Sequence, residues 1–241
     1  MPRVAIVTGA ARGLGQEFAV ALAGRGCVIA GFDVADQSAT QARIDGGFLP
    51  VEVDVTDESA VATAVERVAA TLGAPGIVVN NAGIYPPIEF EDTTLDDWHR
   101  ILRLNLDGPF LVTQAALPYL RAQGWGRIVN IVSAAVDLGP PDLVAYTTSK
   151  AGLVGFTRAL ASAVGKDGIT VNAIAPGLTH TETAAATTGA HGGFEHVRSL
   201  QAIPRTEVPE DVVSTLLYVC DEGSGFLTGQ TINVDGGSTR S

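Results

Sequence analysis

Residues 4–15 read VAIVTGAARGLG: an apolar run, a turn holding Gly9, Gly13 and Gly15, and the opening of a stretch with helical apolar period. In a strand–turn–helix of this kind, free backbone N–H groups and the positive end of the helix dipole can face an anionic phosphate. Glycine suits the turn because it adopts unusual dihedrals and lets the backbone approach a pyrophosphate without Cβ atoms in the way. A glycine-rich turn alone is weak evidence, so its surroundings decide. Asp33 stands at the end of the second apolar run, where an acidic residue is the expected partner of a dinucleotide's ribose hydroxyl. Its charge opposes the 2′-phosphate of NADP and argues for NAD. Arg12, inside the turn, pulls the other way, because a guanidinium can meet that phosphate as a bidentate partner. Asp33 carries the greater weight, since the strand end fixes its place beside the ribose.

Working outward, short Val- and Ile-rich runs recur at 4–7, 27–32, 49–53, 76–80, 127–132, 169–174 and 231–234. Between them lie helical patterns at about 14–25, 57–72, 94–121, 146–165 and 208–221. This alternation predicts right-handed crossovers and an α/β fold: a Rossmann-type, doubly wound sheet of about seven parallel strands with helices on both faces. One domain over residues 1–241 accommodates the whole pattern. Thr94 and Asp97 have capping-box spacing and predict the start of the helix that runs into Asn105. Residues 178–202 break the alternation with Thr, Ala and Gly, which is the pattern of a lid or binding loop.

The 241 residues are 46% hydrophobic and 17% charged, as expected of a globular chain with a well-buried core. A formal net charge of −11 disfavours nucleic acid, anionic membranes and strongly acidic partners, leaving small neutral ligands as the easier expectation. Cys27 and Cys220 show no paired spacing, so reduced thiols and a cytoplasmic location are expected. The N-terminal run is too soon broken for a signal peptide, and no apolar stretch is long enough to span a membrane. His99, His180, His191 and His196 have no metal-ligand spacing, so no metal site is expected.

Taken together, TGAARGLG (8–15), NNAG (80–83), Asn105, Ser133, YTTSK (146–150) and APG (175–177) resemble the short-chain dehydrogenase/reductase family. The resemblance extends to INVDGG near the C-terminus, and the TGxxxGxG spacing is similar to that of the single-domain members. It implies a seven-stranded Rossmann sheet, nicotinamide-dependent hydride transfer and a homodimer or homotetramer. Carried over by motif, Gly9, Gly13 and Gly15 would hold the pyrophosphate, and Arg12 and Leu14 of the same turn would also border the cofactor. Asp33 would take the adenosine ribose, and Asp54 with Val55 the adenine. Asn81, Ala82 and Gly83 would border the cofactor, Pro176, Gly177 and Thr181 would surround the nicotinamide and its phosphates, and Tyr146 and Lys150 would also touch it. Gly76 departs from the family pattern, which often has Asp there.

Tyr146 and Lys150, four apart, share one helix face. Oxidising a secondary alcohol requires removal of the hydroxyl proton, and a phenol with pKa about 10 is a poor base at neutral pH. An ammonium about 4 Å away at an effective dielectric of 20 is worth about 4 kcal/mol, or roughly three pKa units, so Tyr146 is expected to titrate near neutrality. Ser133 is placed to hydrogen-bond the same substrate oxygen. The resemblance gives Asn105 a water that relays protons from Lys150.

The apolar character of Ile84, Tyr85, Ala134, Ala135, Val136, Leu138 and Leu143 predicts a hydrophobic secondary alcohol or ketone, contacted by Ser133, Tyr85, Ala135, Leu143 and Tyr146. Two alternatives remain open at this point: an NADPH-dependent 3-oxoacyl-[acyl-carrier-protein] reductase, and a non-catalytic dinucleotide-binding protein.

Overall fold

A computed structural model describes residues 2–187 and 193–239. Seven strands form one all-parallel sheet: β1 (Val4–Thr8), β2 (Val28–Asp33), β3 (Phe48–Glu52), β4 (Pro75–Asn80), β5 (Gly126–Ile131), β6 (Ile169–Pro176) and β7 (Thr231–Val234). Their order is β3-β2-β1-β4-β5-β6-β7. Each strand lies within two residues of its sequence expectation. The order reverses between β1 and β4, and in open sheets of this type a ligand crevice opens outside the carboxyl ends of the strands at that point.

Alternation along the strands sends one set of side chains to each face. Ile6, Phe32, Val51, Val78, Ile128 and Val171 pack against α3 (Glu58–Thr71), α5 (Gly108–Gln123) and the end of α7 (Val144–Val164). Ala5, Val7, Ile29, Ile77, Val79 and Val129 face α1 (Gly13–Gly24) and α10 (Pro209–Cys220), which contribute Phe18, Leu22, Val212 and Leu216. Burial on both faces is why the strand runs read as continuously apolar. Each fully buried large side chain contributes about 1.5–3 kcal/mol.

Four parts of the chain depart from expectation. The helix read over 94–121 is divided into α4 (Leu95–Leu102), a π-helical turn (Arg103–Asp107) and α5. Thr94 caps α4, its hydroxyl accepting from the Asp97 N–H. Pro109 explains the break: it has no N–H to donate to the carbonyl of Asn105 four residues earlier. Short helices α2 (Ser38–Gln41) and α6 (Ala135–Leu138) interrupt segments with no sequence signal of helix. Finally, 178–202 is not a plain loop, because it contains α8 (Glu182–Ala186), capped by Thr181, and α9 (Gly193–Leu200), where Arg198 pairs with Glu195.

Gly76, the departure from the family pattern, lies under an aromatic ring: a Cβ there would sit 3.2 Å from Trp125. The guanidinium carbons of Arg3 and Arg127 lie 3.5 and 4.5 Å from the centre of that ring. These contacts are cation–π interactions.

Candidate active site

The β1–α1 turn meets its backbone requirements with glycine. Gly9 and Gly13 have φ of +68° and +59°, and a Cβ on Gly15 would fall 2.0 Å from the Gly9 carbonyl oxygen. The Thr8 hydroxyl accepts from the N–H groups of Asn81 (2.9 Å) and Ala82 (3.0 Å), while Asn81 Nδ2 donates to the Thr8 carbonyl. These bonds tie the ends of β1 and β4 together at the switch point. α1 begins without a side-chain cap and without an acidic residue in its first turn. An uncapped helix start behind Cβ-free glycines fits a pyrophosphate. Leu14 turns its side chain onto the core.

Asp33 is half-buried at the end of β2, its two oxygens accepting from Ala11 N and Ala35 N at 2.9 Å each. That holds the carboxylate against the glycine turn, where a ribose would lie. Arg12 is exposed, and among the described residues its side chain has no hydrogen bond or ion pair. Of the expected adenine pair, only Asp54 is exposed, accepting from Thr56 N. The Val55 side chain is buried in the core against Gly108, so only its backbone can border an adenine. Gly177 N donates to the Val234 carbonyl just beyond Pro176, the last residue of β6. From there the chain reaches back, and Thr181 lies 3.7 Å from where a Cβ on Gly13 would stand. Residues from the two ends of the sequence therefore meet over one glycine turn.

Beyond the ends of β4 and β5 lie the four candidate catalytic residues. Lys150 is 4% exposed, with Nζ donating to the Ile131 carbonyl at 2.7 Å. Glycine at 83 makes room for it, since a Cβ there would be 3.0 Å from Asn105 Oδ1 and 3.5 Å from Lys150 Nζ. Ser133, just past β5, accepts from Ala135 N and pulls the Tyr146 pKa down. Burial outweighs that pull and pushes the phenol up to about 12, while burial drops the Lys150 ammonium to about 8. This corrects the expected near-neutral phenol. Lys150 Nζ lies 5.8 Å from the centre of the Tyr146 ring and is turned toward a carbonyl, so desolvation prevails over attraction. In the free chain at neutral pH, Tyr146 is a proton donor.

Asn105 is wholly buried, with three side-chain hydrogen bonds: Oδ1 accepts from Ile84 N (2.9 Å), and Nδ2 donates to Ile84 O (2.9 Å) and Ser149 Oγ (3.1 Å). It clamps the segment after Gly83. Spacing did not reveal this clamp, nor the buried chain beneath it. Asn80 donates to Thr113 and Asn130, and Asn130 donates to Thr157 on α7. The available signal was an Asn closing or interrupting two otherwise apolar strand runs.

On the substrate side the rings of Tyr85 and Tyr146 are 5.8 Å apart and tilted by 57°. A shallow dent beside them, too small to hold a ligand, has both apolar (Pro86, Ile88, Leu143) and polar (Thr93, Asp142) walls. Ala135 does not share it, being 7% exposed at the start of α6. His180 and Phe194 stack at 5.2 Å, joining the two parts of the 178–202 segment. His191 falls outside the described residues, and His99 and His196 are exposed. Among the described residues, no group of three His, Cys, Asp or Glu is placed to hold a metal ion, and no helix is long and apolar enough to cross a membrane.

A family model described as enoyl-(acyl carrier protein) reductase matches residues 9–239. The chain belongs to the short-chain dehydrogenase/reductase family. It is similar to an acetoacetyl-CoA reductase of Rhizobium meliloti, at 37% identity over 98% of each chain. A 3-oxoacyl-[acyl-carrier-protein] reductase of Aquifex aeolicus is 36% identical, with 98% of this chain and 96% of the relative covered. Among solved structures, one described as a short-chain alcohol dehydrogenase from Sinorhizobium meliloti superposes with a TM-score of 0.94 at 34% identity, covering 98% of this chain and 96% of the other. Like other members, the chain is an oxidoreductase that uses a nicotinamide cofactor.

Proposed function

We propose that this oxidoreductase interconverts a hydrophobic secondary alcohol and its ketone with NAD, with Tyr146 as acid/base. The observation that carries the reading is the convergence of Ser133, Tyr146 and Lys150 beside Gly83, on the same strand ends as a glycine turn braced by Asp33. Gly9, Gly13 and Gly15 would hold the pyrophosphate, Asp33 the adenosine ribose, and Gly177 and Thr181 the nicotinamide side. A bound nicotinamide supplies or accepts the hydride. In ketone reduction the Tyr146 hydroxyl gives its proton to the substrate oxygen, and the Ser133 hydroxyl hydrogen-bonds that oxygen as charge develops on it. The Lys150 ammonium favours the resulting phenolate. Tyr85 and Leu143 favour an apolar substituent on the carbonyl carbon.

Asp33 supports NAD because its carboxylate, held at the end of β2 by two backbone N–H groups, would repel a 2′-phosphate bound beside it, whereas Arg12 is exposed with no partner among the described residues. We further propose that residues 1–241 act as one domain in a homodimer or homotetramer of cytoplasmic protein.

A second reading has its own support in the names of the relatives: reduction of a 3-oxoacyl thioester with NADPH. A net charge of −11 opposes docking of an acidic carrier protein more than it opposes a small thioester. The test is a matrix of NAD(H) and NADP(H) against apolar alcohols and ketones, polyols and acetoacetyl-CoA, followed by nicotinamide absorbance. Turnover of apolar alcohols with NAD is the expected result. Faster reduction of acetoacetyl-CoA with NADPH would replace the first reading by the second, and turnover of polyols alone would defeat both.

A further inference from the structure

One buried carboxyl group has no part in the chemistry above. Glu207, between α9 and α10, is 4% exposed. Its Oε2 accepts from Gly177 N at 3.0 Å, and its Oε1 accepts from the Thr179 hydroxyl at 2.6 Å. Its backbone carbonyl accepts from His180 N at 2.8 Å, and residues 179 and 207 pair as an isolated parallel bridge. Three successive points of the turn that leaves β6 are thus held by one residue about thirty positions away. The fit is close, because a Cβ on Gly177 would lie 2.6 Å from Glu207 Oε2. The same turn ends at Thr181, which lies against Gly13 and caps α8.

No cation neutralises this carboxyl group among the described residues. Arg205, the nearest candidate, is committed to Asp211 in a two-pronged pair. Asp211 on α10 and Asp235 at the end of β7 face it with like charge, and Asp235 is itself bonded to Gly237, Ser238 and Thr239. Burial first, and these neighbours with it, raise the Glu207 carboxyl to about 7 despite the two bonds it accepts. A residue kept here against that cost is retained for its shape and hydrogen bonds more than for its charge.

We infer that Glu207 is a positioning residue, whose carboxyl group fixes the Gly177–Thr181 turn and through it the nicotinamide half of the dinucleotide site. The inference rests on the dinucleotide reading above. The Gly177 N–H, shared between the Val234 carbonyl and Glu207 Oε2, can only donate, whereas the Thr179 hydroxyl can donate or accept. The hold therefore survives protonation, with Oε2 still accepting from Gly177 and a protonated Oε1 donating to Thr179. A glutamine reproduces that neutral arrangement atom for atom. Alanine removes both bonds and leaves a gap beneath Gly177.

The test compares NADH with ADP-ribose, which lacks the nicotinamide, by calorimetric titration of the full chain. Glu207→Ala is expected to weaken NADH about tenfold and to leave ADP-ribose within about twofold, the former corresponding to one or two lost hydrogen bonds. Glu207→Gln should stay close to wild type for both ligands, and Thr179→Val, which removes one bond, should weaken NADH about threefold. Equal losses for NADH and ADP-ribose would overturn the inference, since they denote general loosening. So would unchanged NADH affinity in Glu207→Ala, or a glutamine variant as weak as alanine. If alanine prevents folding, the glutamine and valine variants decide by the same ratio. A wild-type chain that binds neither NADH nor NADPH would remove the dinucleotide reading itself, a result separate from any difference among variants.

Discussion

The glycine turn after β1 and the cluster on α7 flank the same strand ends, yet they are made of different materials. Backbone atoms, glycines and a carboxylate held by two N–H groups make the first, with the Arg12 guanidinium exposed beside them. A half-buried phenol and a buried ammonium make the second, with Tyr146 raised to about 12 and Lys150 lowered to about 8 by desolvation. A site built from backbone tolerates pH and fails by steric intrusion. One built from desolvated ionisable groups fails by loss of a proton or a charge.

That contrast is broken most sharply at Tyr146. Replacing it with Phe should lower turnover by about 10²–10⁴, the usual worth of a general acid, while NADH binding measured by fluorescence stays within about twofold. Loss of binding together with turnover would mean the two regions are not separable. Gly15→Ala attacks the other side: the added methyl meets the Gly9 carbonyl at 2.0 Å, so NADH affinity should fall about a hundredfold, with about 1–3 kcal/mol lost in a denaturant melt. Wild-type affinity in that variant would show that the turn is not the phosphate cradle.

Asp33→Ser should shift the ratio of NADP to NAD affinities about tenfold toward NADP by removing one repulsive charge. An unchanged ratio would transfer control of cofactor choice away from β2. The smallest effect is the pH profile. At limiting dinucleotide, kcat/KM reports groups of the free chain, and Lys150 is charged below its value of about 8 and neutral above it. Ketone reduction should therefore fall to half as pH rises through about 8, while NADH affinity stays flat across the same range. A profile flat to pH 10 would show that the Lys150 charge does not support the step.

Much of the sheet was legible because burial on both faces forces apolar runs, and all seven strands lie close to where those runs stand. The glycine turn was legible for a related reason: strand, turn and helix are contiguous, so spacing is geometry. Tyr146 and Lys150 were also paired correctly on one helix face, but their electrostatics were not. Sequence spacing cannot say how dry a site is, and dryness decides the direction of both shifts. Glu207 was invisible because its partners, Gly177 and Thr179, are distant in sequence and bind through a backbone N–H and a hydroxyl with no pattern of their own. The π-helical turn was signalled only by Pro109, a residue equally common at helix starts. Helix α9 was passed over because its apolar positions are too few to outweigh the glycines before it.

The ring of Trp125, contacted by Arg3 and Arg127 at the amino-terminal edge of the sheet, is one of only two indoles in the chain. It stands at the opposite end of the strands from the glycine turn and is clamped by a residue that precedes β1. With Trp98 on α4 replaced by Phe, its emission becomes an optical reporter placed to follow detachment of the first strand.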